Sequence, residues 1–240
     1  VTALVHRVRA VNGSRSPNPV HDDEFARRLG FRGGLVPGAA VYGYMAVLPE
    51  RRWGAAWRAG GTMSARFAKP FYDGEEVTVT AAGEGDALDL EARNPEGVVC
   101  ATGRATVASE EPPPDPDRYP APELPAERRA PLDVAEGDVL GALRTAAPSE
   151  PSWPAGLGNE VLMANVALPP WIHVETRTRH LAELRDGEPV EVRALVAGAW
   201  ERRGHHFVDL DVLVLGESGR PAARLRHIAI VTLAEPDRIT

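Results

Sequence analysis

Within eight residues the chain sets out a hydroxyl, an amide, an imidazole and two carboxylates: Ser16, Asn18, His21, Asp22 and Asp23. An imidazole titrates near ~6.5, so His21 can take and return a proton at neutral pH. Asn18 has both a donor and an acceptor with which to pin a loop or meet a substrate. Ser16 holds no useful proton near pH 7 but can orient a water by hydrogen bonds. Fifteen residues beyond Asp23 stands Gly38, opening an apolar segment that runs to Pro49. If that segment is a helix, its first N–H groups have no internal partner, and the helix dipole makes them suited to holding a carbonyl or an anion. Gly38, lacking a side chain, lets such a group come close. Proton transfer beside a polarised carbonyl is the chemistry these residues offer.

Two helices must position them. Asp22 suits the N-cap of a short helix, with Asp23 and Glu24 in its first turn, Arg27 and Arg28 near its end and Gly30 just past it. The second helix begins near Pro37-Gly38 and is expected to stop at Pro49. Ala39–Leu48 has no charge, so this helix must be wrapped on every side. Residues 1–11 alternate as a first strand. After the connection RRWGAAWRAGG come strand-like runs at Met63–Phe71, Val77–Ala81, Leu88–Ala92 and Val98–Val107, separated by Gly- and Asn-containing turns.

The plan then repeats. Residues 109–131 hold eight prolines and many charges and read as a surface linker. Beyond them Asn159–Leu168 is a second apolar helix ending at Pro169. Strand-like runs follow at Ile172–Arg179, Val190–Ala197, His206–Leu215 and Ala222–Leu233, with turns at Asp186-Gly187, Arg203-Gly204 and Ser218-Gly219. FYDGEEVTVTA at 71–81 aligns without a gap with LRDGEPVEVRA at 184–194. The division this implies is a first unit at 1–108, a linker at 109–131 and a second unit at 132–240. Each unit is an antiparallel sheet wrapped round a central helix, an α+β pseudo-dimer within one chain. The second unit has no counterpart of His21, so one site per chain is expected, with the second unit as its wall. His173, His180, Trp171 and Trp200 read as strand residues at the junction of the units, and adjacent His205 and His206 point to opposite faces.

Composition sets the outer limits. The chain has 240 residues, a net charge of −7 and one cysteine, Cys100. That charge argues against a general nucleic-acid binder, and a lone cysteine excludes an intrachain disulfide and disfavours a cysteine zinc site. No apolar run reaches the ~18–20 residues of a membrane span, and the start of the chain lacks a signal-peptide core. The expectation is a cytoplasmic protein with no membrane, metal or cofactor.

Asn18-Pro19-Val20-His21, then Asp23, Phe25-Ala26, Gly30-Phe31 and Gly34-Leu35-Val36-Pro37-Gly38, resemble the MaoC-like (R)-specific enoyl-CoA hydratases and dehydratases. The resemblance is specific over residues 16–48. It implies a double hotdog fold and a dehydratase or hydratase acting on an enoyl or 3-hydroxyacyl thioester of CoA or a carrier protein, with a homodimer allowed. It further implies His21 as acid or base, Ser16 in the catalytic set, the Gly38 amide on the thioester carbonyl, and Asn18 and Asp23 toward substrate. Two positions depart from the family: Ser16 stands where the family has an Asp, and Pro37 where it usually has a His. The Ser16 departure leaves two alternatives. One is an acyl-binding or partner subunit without turnover. The other is a different thioester reaction, although hydrolysis usually uses a carboxylate near the central helix and Ala39–Leu48 has none. Arg27, Arg28, Arg32, Arg51 and Arg52 could meet carrier phosphates, but a solvated charged face is the default.

Overall fold

The computed structural model describes residues 4–13 and 17–234. Among these residues, ten strands form one antiparallel sheet. In chain order they are β1 (Leu4–Arg9), β2 (Thr62–Phe67), β3 (Glu76–Ala82), β4 (Ala87–Arg93), β5 (Val99–Thr106), β6 (Leu143–Ala146), β7 (Ile172–His180), β8 (Pro189–Arg202), β9 (His205–Leu215) and β10 (Pro221–Thr232). Their spatial order is β1-β3-β4-β5-β2-β7-β10-β9-β8-β6. Read outward from the centre, the two halves follow the same sequence of strands, so the duplication in the chain is a duplication in space. Antiparallel pairing of β2 with β7, Thr62 opposite Arg179 through Arg66 opposite Glu175, joins the halves edge to edge. Each unit thereby satisfies the inner edge that the other would leave open.

Each half wraps one helix. The helices are α1 (Asp23–Arg28), α2 (Gly38–Trp53), α3 (Ala55–Gly60) and α4 (Trp153–Asn165), with α2 and α4 as the two central rods. Tyr42, Met45, Ala46 and Leu48 of α2 are buried among the inward residues of β1–β5, and Leu157, Val161 and Leu162 of α4 among those of β6–β10. Polar cross-links also join the halves: the Tyr42 hydroxyl donates to Thr178 Oγ1 at 2.9 Å, and Arg58, paired with Glu50 in its own half, reaches Glu183 in the other.

Several elements differ from expectation. α2 does not stop at Pro49 but runs on to Trp53, with Pro49 buried inside it. A proline there forfeits the bond to the carbonyl four residues back, at a cost of about 3 kcal/mol, and the surrounding core holds the helix together regardless. The segment read as a connection contains α3. α4 starts six residues earlier than expected and ends at Asn165, not at Pro169. There the Asn165 side chain accepts from Gly141 N–H at 2.6 Å and donates to the Gly141 and Val161 carbonyls, and the chain leaves the helix. β2 ends at Phe67, short of Phe71, and β6 was not foreseen because its four residues are too few to show a period.

The halves are not identical, and the asymmetry matters for the site. The β3–β4 hairpin has arms of seven residues, whereas β8 has fourteen and β9 eleven. A register shift between Val196 and Gly198 bends this longer arm. Its tip is a two-residue turn, Arg203-Gly204, with both φ values positive (53° and 75°), as a tight hairpin with right-handed strand twist requires.

Candidate active site

The loop from Asn18 to His21 is a single 3₁₀ turn, with Pro19 at its start and the Asn18 side chain accepting from Val20 N–H at 3.4 Å. Asp22 caps α1 as expected, accepting from Phe25 N–H at 2.8 Å. The turn is stitched to residues 34–36. Leu35 N–H donates to the Val20 carbonyl at 2.9 Å, and His21 Nδ1 lies 2.7 Å from the Leu35 carbonyl. A side chain at position 34 would run into the His21 carbonyl, so the close approach of the two loops needs Gly34. Since a carbonyl only accepts, Nδ1 carries the proton and Nε2 keeps its lone pair. Burial lowers the His21 pKa, against the weaker opposing pull of the Leu35 bond. At neutral pH His21 is therefore a neutral imidazole with a basic Nε2.

A cavity of about 620 Å³ opens where the N-terminus of α2 meets the second half. His21, Asn18 and Gly38 line it, so three of the five sequence-derived candidates come together. Pro37, at the N-cap of α2, makes no side-chain cap bond, leaving the N–H groups of the first turn to face outward. Asn18 Nδ2 donates to the Trp171 carbonyl at 2.8 Å and so ties the His21 loop to the second half. Asp23 is not among the lining residues; its carboxylate accepts from Gly34 N–H at 2.8 Å and from Arg27 at 2.9 Å, bracing the loops from outside. Ser16 lies outside the described residues.

The second half supplies the opposite wall. Asn159 and Met163 come from α4, Trp171 from just before β7 and Ile172–Val174 from its start, and Arg202, Arg203, His205 and Phe207 from the long β8–β9 arm. His173 is the residue that sequence reasoning passed over as a junction side chain. It does lie on the seam strand, but it also faces the cavity, and an added Cβ on Gly38 would sit 2.8 Å from its Nδ1. No Asp or Glu lines the cavity among the described residues. The mouth instead carries Arg66, Lys69, Arg202 and Arg203, none of which sequence reasoning marked for phosphate. Of the arginines that were, Arg32 pairs with Glu75 and lies over the Tyr72 ring, and Arg27 braces Asp23.

The other end of the seam is packed differently. Trp57 and Trp153 close edge-on upon His180, with ring centroids 4.7 and 5.7 Å away. Three aromatic rings thus meet beside the start of α4. Among the described residues, no three His, Cys, Asp or Glu side chains are grouped as metal ligands.

No family model and no curated protein matches this chain. Solved structures do. One described as a MaoC-like dehydratase superposes with a TM-score of 0.62 at 12% identity, covering 96% of this chain and 98% of that one. A conserved hypothetical protein from Mycobacterium tuberculosis, described as having a double hotdog fold, gives 0.58 at 12% identity over 96% of each chain. A proposed thioesterase II from Thermobifida fusca YX gives 0.57 at 16% identity over 95% and 94%. At these identities the likeness is one of fold, and the fold is a double hotdog.

Proposed function

We propose that this double hotdog chain binds an acyl thioester and acts as a MaoC-like hydratase or dehydratase on its enoyl or 3-hydroxyacyl form. The observation that carries this reading is the meeting, at one cavity, of a tautomer-fixed His21 with the open N-terminus of α2 at Gly38. In the hydration direction, His21 Nε2 takes a proton from water as the oxygen adds to the β-carbon. The imidazolium then returns that proton to the α-carbon, while the Gly38 N–H stabilises the charge passing onto the thioester carbonyl. Dehydration runs the same steps in reverse. The volume falls within the ~300–1,000 Å³ of small-molecule sites, and apolar side chains such as Val41, Phe71 and Ile230 suit an acyl chain. The cationic mouth suits the phosphates of CoA or of a carrier-protein arm.

A second reading, acyl-thioester binding without turnover, is favoured by the lack of any carboxylate in the described lining and by Ser16 in place of the family Asp. Purified protein and its Ser16→Asp variant, incubated with crotonyl-CoA, separate the two. Loss of enoyl absorbance with the natural chain supports the hydratase. Turnover by Ser16→Asp alone means that the natural chain binds but does not hydrate. If neither form binds or turns over crotonyl-CoA, the thioester reading falls for simple enoyl substrates.

A further inference from the structure

The contacts between the two central helices fix which side chains the second half turns toward the cavity. Ser152, the residue before α4, packs on Gly43 of α2, where an added Cβ would lie 3.1 Å from the Ser152 Cβ. Gly38 of α2 and Gly158 of α4 each touch one of two stacked imidazoles. An added Cβ on them would lie 2.8 Å from His173 Nδ1 and 2.6 Å from His227 Nδ1, and the ring centroids are 4.4 Å apart. A bulge in β7, opposite the step from Ile228 to Ala229, sets His173 there, and Thr176 Oγ1 joins the rings, 2.7 Å from His173 Nε2 and 2.9 Å from His227 Nδ1. Read backward from Gly43 to Gly38, α2 therefore runs beside α4 read forward from Ser152 to Gly158. At ~1.5 Å per residue these stretches span about 8 and 9 Å, so the helices are antiparallel and stay level. Asn159 then stands beside the first turn of α2. Ser152, Ala155, Asn159 and Met163 share one stripe of α4 by helical spacing. Ser152 meets α2, Ala155 packs in the core of the first half, and the stripe continues into the cavity wall as Asn159 and Met163.

An asparagine inside a helix is disfavoured, because its amide competes for backbone partners. Asn165 turns that tendency to use at the end of α4, and Asn18 ties the His21 loop to Trp171. Asn159 does nothing of the kind. Neither polar atom of its side chain makes a hydrogen bond among the described residues, and of the two only Oδ1 is sealed from solvent. The open end of the amide is therefore its NH₂ group. Turning the amide over would seal two N–H donors where one acceptor is sealed now, and orphaned buried donors are rarer than under-used acceptors. Opposite the basic Nε2 of His21, the second half thus sets an uncharged donor with no task inside the protein.

Resting on the thioester reading of the cavity, we infer that Asn159 Nδ2 donates to the oxygen at the β-carbon, the water that adds or the hydroxyl that leaves. In dehydration the electron pair of the breaking Cβ–O bond passes onto that oxygen, which takes its proton from the His21 imidazolium. The Asn159 N–H stabilises the charge gathering there. In hydration the same contact holds the water against the β-carbon while His21 Nε2 removes its proton. The thioester carbonyl is then held by α2 and the β-oxygen by α4, so each half of the duplicated chain gives its central helix to the chemistry.

Two unreactive ligands test this: 3-oxobutyryl-CoA, which has an accepting oxygen at the β-carbon, and butyryl-CoA, which has none. In the natural protein labelled with ¹⁵N at asparagine, the Asn159 side-chain amide protons should move to lower field with 3-oxobutyryl-CoA and not with butyryl-CoA. In calorimetric titrations Asn159→Leu should bind 3-oxobutyryl-CoA about three- to tenfold more weakly than the natural protein and butyryl-CoA equally well. Crotonyl-CoA turnover by that variant should fall about 10²-fold in kcat with little change in KM. Amide protons that respond alike to both ligands, or an affinity change shared equally by both, overturn the inference and leave the thioester reading intact. If neither CoA ester binds the natural protein, the thioester reading falls and the inference falls with it.

Discussion

At the scale of single residues, the protein's histidines divide by what their second nitrogen meets. His21 gives Nδ1 to a carbonyl and keeps Nε2 for the cavity, so His21→Ala should lower crotonyl-CoA hydration by about 10²–10⁴-fold, the usual worth of a positioned acid–base group. Because burial lowers its pKa, the basic form persists below the ordinary 6.5. The profile of kcat/KM against pH should be level through neutrality, with its acidic limb below that value. His180 is buried between two indoles with Nε2 unpaired, and burial pushes its pKa down to about 4. Between pH 6.5 and about 4 the unfolded chain binds this proton and the folded chain does not. Stability must therefore fall as pH is lowered through that window, by up to about 1.4 kcal/mol per pH unit. His180→Leu should flatten this acid loss in chemical denaturation measured from pH 7 to pH 4, and an unchanged slope would refute the assignment.

At the scale of elements, what matters is how loops and helices are tied. The 3₁₀ turn carrying His21 is held across the halves by Asn18 donating to the Trp171 carbonyl in a buried setting. Removing the amide strands that carbonyl, and Asn18→Ala should cost about 1–3 kcal/mol. It should also lower turnover at saturating crotonyl-CoA, because the imidazole loses its anchor. Denaturant titration and kcat, measured on the same preparation, check both parts. Asn18, His21 and Gly38 were legible as candidates because loop, cap and helix start are local features of the chain. His173 was not. A period-two reading of β7 puts residues 173 and 176 on opposite faces, and only the bulge against β10 brings them together.

At the scale of the whole molecule, a chain with a net charge of −7 gathers Arg66, Lys69, Arg202 and Arg203 at one cavity mouth. Arg66 and Lys69 come from the first half, while Arg202 and Arg203 sit on the extended β8–β9 arm of the second. If this mouth receives carrier phosphates, a Lys69→Glu, Arg202→Glu double variant should raise KM for crotonyl-CoA about tenfold or more and leave kcat nearly unchanged. The effect should shrink as salt is raised, because exposed charges are screened. A KM unmoved by charge reversal would place the carrier elsewhere.

Order along the chain determined the doubled helix-and-sheet plan, the α1 cap, the apolar central rod and the loop with its imidazole, because capping, periodicity and turn chemistry act over a few residues. Tertiary structure alone decided that Pro49 would be carried inside a helix, since the surrounding core outweighs a local preference. It also decided that the seam strand would supply the far wall of the site, and that Trp57, Trp153 and His180 would meet at the other end of the seam. Those outcomes depend on which strand edges meet and in what register, and pairing between residues more than a hundred positions apart leaves no trace in a local pattern.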